Sequence, residues 1–142
     1  NFLDSWYDPP KAKESAFAMI DAGADVMYAE RFGVADAAVE RGKKAIGNVI
    51  DTASDYPGTI LASALWHMEA TIDKAISAVA DGSYVADDYS QYSYMAHNGG
   101  SLTIDKALVP ADVVAAIEAK EAAIRNGSFV VTINDETPIS DN

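Results

Sequence analysis

The stretch ADVMYAERFGVADAAVERGKKAIGNVI, Ala24–Ile50, decides the fold. Its first segment, ADVMYAE, predicts a strand. The segment VADAAVERG predicts a short helix that ends at Gly42, and KKAIGNVI predicts a further strand. Strands that alternate with helices over short links pair in parallel, and the helices cover the sheet. The stretch therefore predicts an α/β fold.

The segment SWYDPPKAKESA, Ser5–Ala16, precedes it and contains a helix start. Asp8 is a plausible N-cap, and a proline at the first helical position needs no amide partner. We expect a short strand over Asn1–Trp6 and then a helix that ends at Gly23. The residues expected on the inner face of this helix are Ala12, Ala16, Phe17 and Ile20.

The second half of the chain continues the pattern. GTILASALW predicts a strand or an extended lead into the next helix, which ends at Gly82. YVADDYSQYSYMAHNGGSLTI predicts two strands joined at Asn98-Gly99-Gly100. Pro110 starts a last helix that Gly127 ends, and SFVVTINDETPISDN offers one short strand. The expected apolar stripes of the two helices are Met68, Ile72, Ala75, Ile76 and Val79, and Val113, Ile117 and Ile124. Residues 1–142 thus predict one three-layer α/β/α domain with a mostly parallel sheet.

Composition excludes several classes of function. With 10 basic and 22 acidic residues the net charge is −12, so the chain lacks the basic surface that nucleic-acid binding needs. It contains no cysteine, which removes disulfides and thiol chemistry, and no apolar run approaches the roughly 20 residues that span a bilayer. The chain opens at Asn1 without an initiator methionine, which suggests a piece of a longer protein.

Aromatic and charged residues follow the predicted strands. In open parallel sheets ligands bind at the carboxyl ends of the strands, so these positions are the candidates for a site. They are Trp6, Tyr7 and Asp8, then Glu30, Arg31 and Phe32, then Asp51, and then Trp66 and His67. A ligand site at this edge explains why aromatics and carboxylates gather there.

Each candidate also has a structural explanation. Trp6 is either a stacking platform or a rim residue that covers the helix, and Asp8 serves as an N-cap. Asp51 stands in a turn-forming context, and Glu30–Arg31 can form a solvated ion pair, although Arg31 beside Phe32 can also face a cleft. The two histidines are too isolated to argue for a metal. No nucleophile elbow, phosphate loop or metal-binding spacing is present, so we expect no enzyme and no cofactor.

The motif W-x-D-P-x-K-x-K-E at Trp6–Glu14, the GAD at Gly23–Asp25 and the G-K-x-A-I-G at Gly42–Gly47 resemble the basic-membrane-protein (PnrA-like) family. DSWYDPPKAKESAFAMIDAGADVMY, ERGKKAIGNVIDTASDYPGTILAS and HNGGSLTI extend the resemblance over most of the chain. Members of this family are purine-nucleoside-binding lipoproteins that serve bacterial ABC importers. They resemble type I periplasmic binding proteins, and this chain is similar to their carboxyl-terminal lobe.

The resemblance implies roles for individual residues. Trp6 matches the aromatic that stacks on the purine ring, and Asp51 matches the second aspartate of the family's G-x-D-x-D segment. Val49 replaces the first aspartate, AERFGV is a shortened loop, and Trp66 or His67 replaces a lysine. The lost lysine removes a contact to the sugar of a nucleoside, so a bare nucleobase or another small aromatic ligand is an alternative. The ligand-binding residues expected are Trp6, Asp8, Arg31, Phe32, Asp51 and Trp66.

The function implied is solute capture without chemistry between two lobes, followed by delivery to an ABC permease. The resemblance places the protein in the periplasm or at the cell surface, with a lipid anchor in the full-length protein. The expected partners are a purine, a permease, the missing amino-terminal lobe and, for the isolated lobe, a second copy. One alternative is the extracellular sensing domain of a receptor, and another is a flavodoxin-like domain with an interaction role.

Overall fold

The computed structural model describes residues 3–86, 88–132, 134, 136 and 137. The helices and strands follow one another in chain order. They are α1 (Pro9–Asp21), β1 (Val26–Ala29), α2 (Val34–Glu40), β2 (Lys44–Val49), β3 (Ile60–Trp66), α3 (Glu69–Ala80), β4 (Gly100–Ile104) and α4 (Ala111–Arg125). Two short 3-10 helices, Ser90–Ser93 and Met95–His97, lie between α3 and β4.

The four strands form one sheet in the order β1-β2-β3-β4. β1 pairs with β2 in parallel, with Ala29 opposite Gly47, and β2 pairs with β3 in parallel, with Val49 opposite Leu65. β4 is antiparallel to β3, with Gly100 opposite Trp66. The α/β class and the mostly parallel sheet with flanking helices are thus confirmed.

The core lies between α1, α2 and one face of the sheet. Asp8 caps α1 by accepting a hydrogen bond from the Lys11 amide at 3.1 Å, and Pro9 is the first helical residue. The buried residues of this core are Ala12, Ala16, Ile20, Met27, Val34, Ala35, Ala37, Ala38, Ala45 and Ile60. Six of these ten are alanines. Small side chains allow the two helices to approach the sheet and each other closely.

The amino-terminal strand predicted over Asn1–Trp6 is wrong in its described part. Asn1 and Phe2 lie outside the described residues, and Leu3–Trp6 form no strand. Asp4 has a φ of 52°, a left-handed backbone that cannot continue a pleated strand. Lys11 Nζ donates to the Leu3 carbonyl at 2.7 Å, so the segment is held against α1.

The apolar stripe of α3 faces outward, contrary to the expectation that it packs inside. Met68, Ile72, Ile76 and Val79 are all exposed, whereas Ala78 is buried. Helical periodicity shows which residues share a face, but either face can pack. α3 packs through its small residues because these allow the closer approach, and its larger apolar side chains form an exposed surface.

The hairpin predicted before β4 is wrong in its first strand. The tyrosines there contact one another: the rings of Tyr84 and Tyr89 stack with centroids 6.1 Å apart, and Tyr92 lies 5.1 Å from His97. Asn98 has a φ of 62°, and a Cβ at Gly99 would overlap the Tyr92 carbonyl. These contacts hold the segment in short 3-10 helices, and only the second predicted strand forms, as β4.

The last helix spans Ala111–Arg125 with Pro110 as its N-cap, and its inner face passes through Val114 instead of Val113. Val114 is buried and Val113 is exposed, while Ile117 and Ile124 are half-buried. A short strand was predicted in the tail. The described residues after α4 form no strand, and the rest of the tail lies outside the described residues. Within the described ranges, no helix has the length and hydropathy needed to cross a membrane.

Val49, at the end of β2, has a strained backbone. Its φ is 72°, and the Ile50 amide donates to the Asn48 carbonyl at 2.9 Å, which makes a γ-turn with a positive central φ. This conformation is unfavourable for a β-branched residue by roughly 1–2 kcal/mol. We expect Val49→Asn to raise the free energy of unfolding by about 1 kcal/mol, because asparagine tolerates it better. Urea denaturation measures the change.

Val26 provides the matched control. It is similarly exposed, 48% against 40% for Val49, and lies in β1 with an ordinary φ. Val26→Asn loses strand propensity and is expected to lower stability by up to about 1 kcal/mol. A Val49→Asn protein no more stable than the parent would contradict the interpretation of strain at this turn.

Candidate functional site

The carboxyl ends of β1, β2 and β3 lie at one edge of the sheet, because these strands are parallel. The loop Glu30–Gly33 follows β1, Ile50 and Asp51 follow β2, and Trp66 ends β3. Neighbouring strand ends are about 5 Å apart, so β1 and β3 end about 10 Å from each other. These residues therefore lie along one edge of the sheet, and their contact with one ligand stays a prediction.

Trp6 forms the most exposed part of this edge. Its side chain is 88% exposed, more than any other large apolar side chain described. The Arg31 guanidinium carbon lies over the indole, 5.3 Å from the ring centroid. Arg31 also forms an ion pair with Glu30. The three side chains make a cluster, which we call the Trp6 cluster: an exposed aromatic ring, a cation on its face and a carboxylate beside the cation.

The loop that carries Arg31 is fixed on the start of α1. Tyr7 and Phe32 meet edge to face with ring centroids 6.1 Å apart. Gly33 has a φ of 98°, and a Cβ there would overlap the carbonyl oxygen of Pro9 and lie 3.3 Å from the Lys13 amide nitrogen. Only glycine allows this approach, so Gly33 brings the loop against the first turn of α1.

A cavity of about 760 Å³ opens beside the Trp6 cluster. Its walls come from α1, β1 and the segment before α1, and Trp6, Glu30 and Arg31 also line it. The deeper lining is apolar and includes Leu3, Met19, Met27 and Val34. The volume lies within the range of roughly 300–1,000 Å³ typical of small-molecule sites. A planar, largely apolar ligand with a few polar atoms fits this chemistry.

Two lysines of the W-x-D-P-x-K-x-K-E motif have structural roles. Lys11 holds the Leu3 carbonyl at 2.7 Å, and Lys13 pairs with Glu40 of α2 at 2.6 Å. The Asp8 carboxylate is engaged as the cap of α1. These residues of the motif therefore stabilise α1 and the segment before it, which carries Trp6. Ligand contact by Asp8 stays a prediction.

Asp51 lies in the turn after β2. Its Oδ1 accepts hydrogen bonds from the Ala53 amide at 3.0 Å and from the Ser63 hydroxyl at 3.4 Å. The residue remains exposed. These bonds fix the direction of the carboxylate at the ligand edge, which is what an acceptor for a ligand N–H or hydroxyl requires.

Trp66 occupies the end of β3 and is 60% exposed. The next residue, His67, is held by a 2.7 Å hydrogen bond between its Nε2 and the Ser101 hydroxyl of β4. That Trp66 or His67 replaces the lysine of the family pattern stays a prediction; the Trp66 ring is exposed, whereas His67 is bonded to β4. Among the described residues, no ring contact or hydrogen bond joins Trp66 to the Trp6 cluster.

The structure thus brings Trp6, Arg31 and Phe32 together and leaves Asp51 and Trp66 separately along the same edge. Sequence reasoning missed a bond between the Tyr28 hydroxyl and the Asn48 side chain, 3.0 Å long, beneath the site. It also missed the stacked tyrosines near α3, although Tyr89 and Tyr92 have the three-residue spacing of one helical turn. Among the described residues, no group of histidine, aspartate and glutamate side chains could hold a metal ion.

Comparison with known proteins agrees with this geometry. Residues 1–131 match the family described as ABC transporter substrate-binding protein PnrA-like. The chain is 30% identical over 133 residues to the purine-binding protein BAB2_0673 of Brucella abortus (strain 2308). That match covers 90% of this chain and 36% of the relative, so the chain spans about a third of the relative's length.

Solved structures of similar fold include a transcriptional activator of the comK gene from Bacillus halodurans, with a TM-score of 0.73 and 25% identity. That match covers 91% of this chain and 47% of the other. An ABC transporter solute-binding protein from Conexibacter woesei DSM 14684 has a TM-score of 0.64 at 21% identity, covering 93% of this chain and 45% of that one. Together with the match over residues 1–131, these findings show that the chain belongs to the PnrA-like family of ABC transporter substrate-binding proteins.

Proposed function

We propose that the chain is one lobe of the solute-binding component of an ABC importer, and that it binds a purine nucleobase or nucleoside. The observation that carries the proposal is Trp6, an indole 88% exposed at the carboxyl edge of the sheet and next to a cavity of about 760 Å³. An aromatic ring left uncovered at a ligand edge suits stacking by a planar heterocycle.

The remaining site residues supply the polar contacts of the proposed complex. Arg31 donates hydrogen bonds, and Asp51 accepts them from a ribose hydroxyl or a purine N–H. Phe32 supports the loop, and Trp66 provides a second aromatic surface about two strand spacings from β1, roughly 10 Å away. The name of the Brucella relative, a purine-binding protein, supports the same class of ligand.

The proposed mechanism is capture without chemistry. A second lobe closes over the ligand, and the closed form delivers the ligand to a membrane permease. The protein then acts outside the cytoplasmic membrane, held there by a lipid anchor in its full-length form. The family, whose members are ABC substrate-binding proteins, supports this location. Self-association of the isolated lobe, through the surface that faces the missing lobe, stays a prediction.

Calorimetric titration of the full-length protein with adenosine, inosine, ribose and glucose tests the proposal. We expect saturable binding of a purine nucleoside and none of the sugars. Residues 1–142 alone should bind the same purine at least about 10-fold more weakly, because a single lobe leaves half of the ligand in water. Binding of a sugar without purine binding, or equal affinity in the single lobe, would contradict the proposal.

A further inference from the structure

One face of the Trp6 indole carries a planar group, which lines the same cavity as the indole. The Arg31 guanidinium lies 5.3 Å from the indole centroid, and its NH1 also reaches the Glu30 carboxylate. Arginine is planar and stacks on aromatic rings in the manner of a flat heterocycle. A purine that stacks on this face from the cavity would therefore compete with the guanidinium for it.

The backbone beneath Arg31 cannot withdraw to make room. Gly33 is packed against Pro9, and the Phe32 ring rests on Tyr7. The Arg31 side chain is 31% exposed and the Glu30 side chain 46% exposed, so both keep freedom to rotate toward solvent. A purine that stacks on Trp6 thus displaces the guanidinium sideways, to the edge of its own ring, while the backbone stays in place.

At the edge of the displacing purine, the Arg31–Glu30 ion pair would present N–H donors followed by carboxylate acceptors. Arginine offers only N–H donors, and an ionised glutamate offers only acceptors. A 6-oxopurine presents two acceptors, N7 and O6, followed by the N1–H donor, and arginine pairs bidentately with that N7/O6 edge. Adenine presents N7 as an acceptor, then an amino donor, then N1 as an acceptor. The Arg31–Glu30 pair complements the first order and opposes the second.

We propose that Arg31, steered by Glu30, is a specificity-determining residue that selects 6-oxopurines, such as guanine, hypoxanthine and their nucleosides, over adenine and adenosine. The inference rests on the proposed purine-binding function. It assigns to this chain a preference within the purines that stacking on Trp6 alone cannot produce, since every purine has a π-face.

Inosine and adenosine are the matched ligands for the test, because their purine rings differ in the group at position 6 and the N1 protonation that follows from it. Calorimetric titration of the full-length protein should give an affinity for inosine about 10-fold or more above that for adenosine. Arg31→Lys keeps the charge but loses the bidentate fork. We expect it to reduce the ratio of the two affinities to near one, chiefly by weakening inosine binding.

Arg41 provides a matched control elsewhere on the lobe. Its guanidinium lies 4.3 Å from the Phe17 ring centroid and pairs with Asp21 at 3.2 Å, which repeats the arrangement of Arg31 away from the ligand edge. Arg41→Lys should leave the inosine-to-adenosine ratio unchanged, and thermal unfolding of both variants checks their folding.

Three outcomes would overturn the inference. An adenosine affinity equal to or above that of inosine, or a preference for inosine that persists in Arg31→Lys, would remove the role of Arg31 and leave purine binding intact. Binding of neither nucleoside, with guanine and hypoxanthine also inactive, would overturn the proposed function and the inference with it.

Discussion

Gly33→Ala is expected to destabilise the lobe by about 3 kcal/mol or more and to abolish ligand binding. The φ of 98° at this position is a left-handed conformation that costs an alanine roughly 1–2 kcal/mol. The added Cβ would also overlap the Pro9 carbonyl, and overpacking of this kind costs about 1–3 kcal/mol. Relief of the overlap moves the β1–α2 loop away from α1 and separates Arg31 from Trp6. Urea denaturation measures the loss of stability.

Gly23→Ala separates the two causes of this loss. Gly23 also has a positive φ, 111°, but a Cβ there has no atom within 4 Å. The variant should therefore show only the conformational cost, about 1–2 kcal/mol, and keep its ligand affinity. If the two variants lost the same stability and both bound the ligand, the contact between the loop and α1 would have no role in forming the site.

Trp6→Ala is expected to weaken purine binding by about 5- to 150-fold, the equivalent of the roughly 1–3 kcal/mol that a stacked base contributes. The indole is 88% exposed and the Trp6 segment lies outside the main core, so stability should change little. Calorimetry on the full-length protein gives the affinity, and thermal unfolding gives the stability.

Trp6→Phe is the conservative comparison, since a smaller ring retains part of the stacking surface. Its affinity should fall between those of the parent and Trp6→Ala. A Trp6→Ala protein that binds the purine as tightly as the parent would show that the ring only covers the start of α1, the alternative explanation considered for this residue.

The features of the fold that could be predicted from sequence are those that depend on near neighbours in the chain. Asp8 and Pro9 specify the start of α1 through one hydrogen bond and one missing amide. The glycines after the helices have positive φ values, as their positions suggested. The parallel pairing of β1 with β2 follows from the short helical crossover between them.

The predictions that were wrong depend on which surface of an element packs against the rest of the protein. The α3 stripe was recognised correctly as a stripe, but packing through Ala78 leaves it exposed. Alternation in the tyrosine-rich segment suggested a strand, whereas contacts between Tyr84, Tyr89 and Tyr92 hold it in 3-10 helices. The three-residue spacing of Tyr89 and Tyr92 fits one helical turn, but the alternation of the surrounding residues favoured a strand.

In the candidate site, too, positions set by the chain order could be predicted, whereas contacts set by packing could not. The position of Asp51 at a strand end could be predicted, because parallel strands share an edge, whereas Trp6 reaches that edge on the irregular segment before α1. The placement of Arg31 over the indole could not be predicted, since it depends on how Gly33 of the β1–α2 loop packs against Pro9 at the start of α1. The sequence left open whether Arg31 faces a cleft. In the structure, Arg31 lines the cavity beside Trp6.

The central claim, that Trp6 stacks on a purine, is tested most directly by fluorescence titration. These 142 residues contain two tryptophans, so Trp66→Phe leaves Trp6 as the reporter within this lobe. Titration of full-length Trp66→Phe protein with inosine should produce a saturable change in tryptophan emission. In the double variant Trp6→Phe/Trp66→Phe, that change should disappear. The same saturable change in both proteins, or none in either, would contradict the claim.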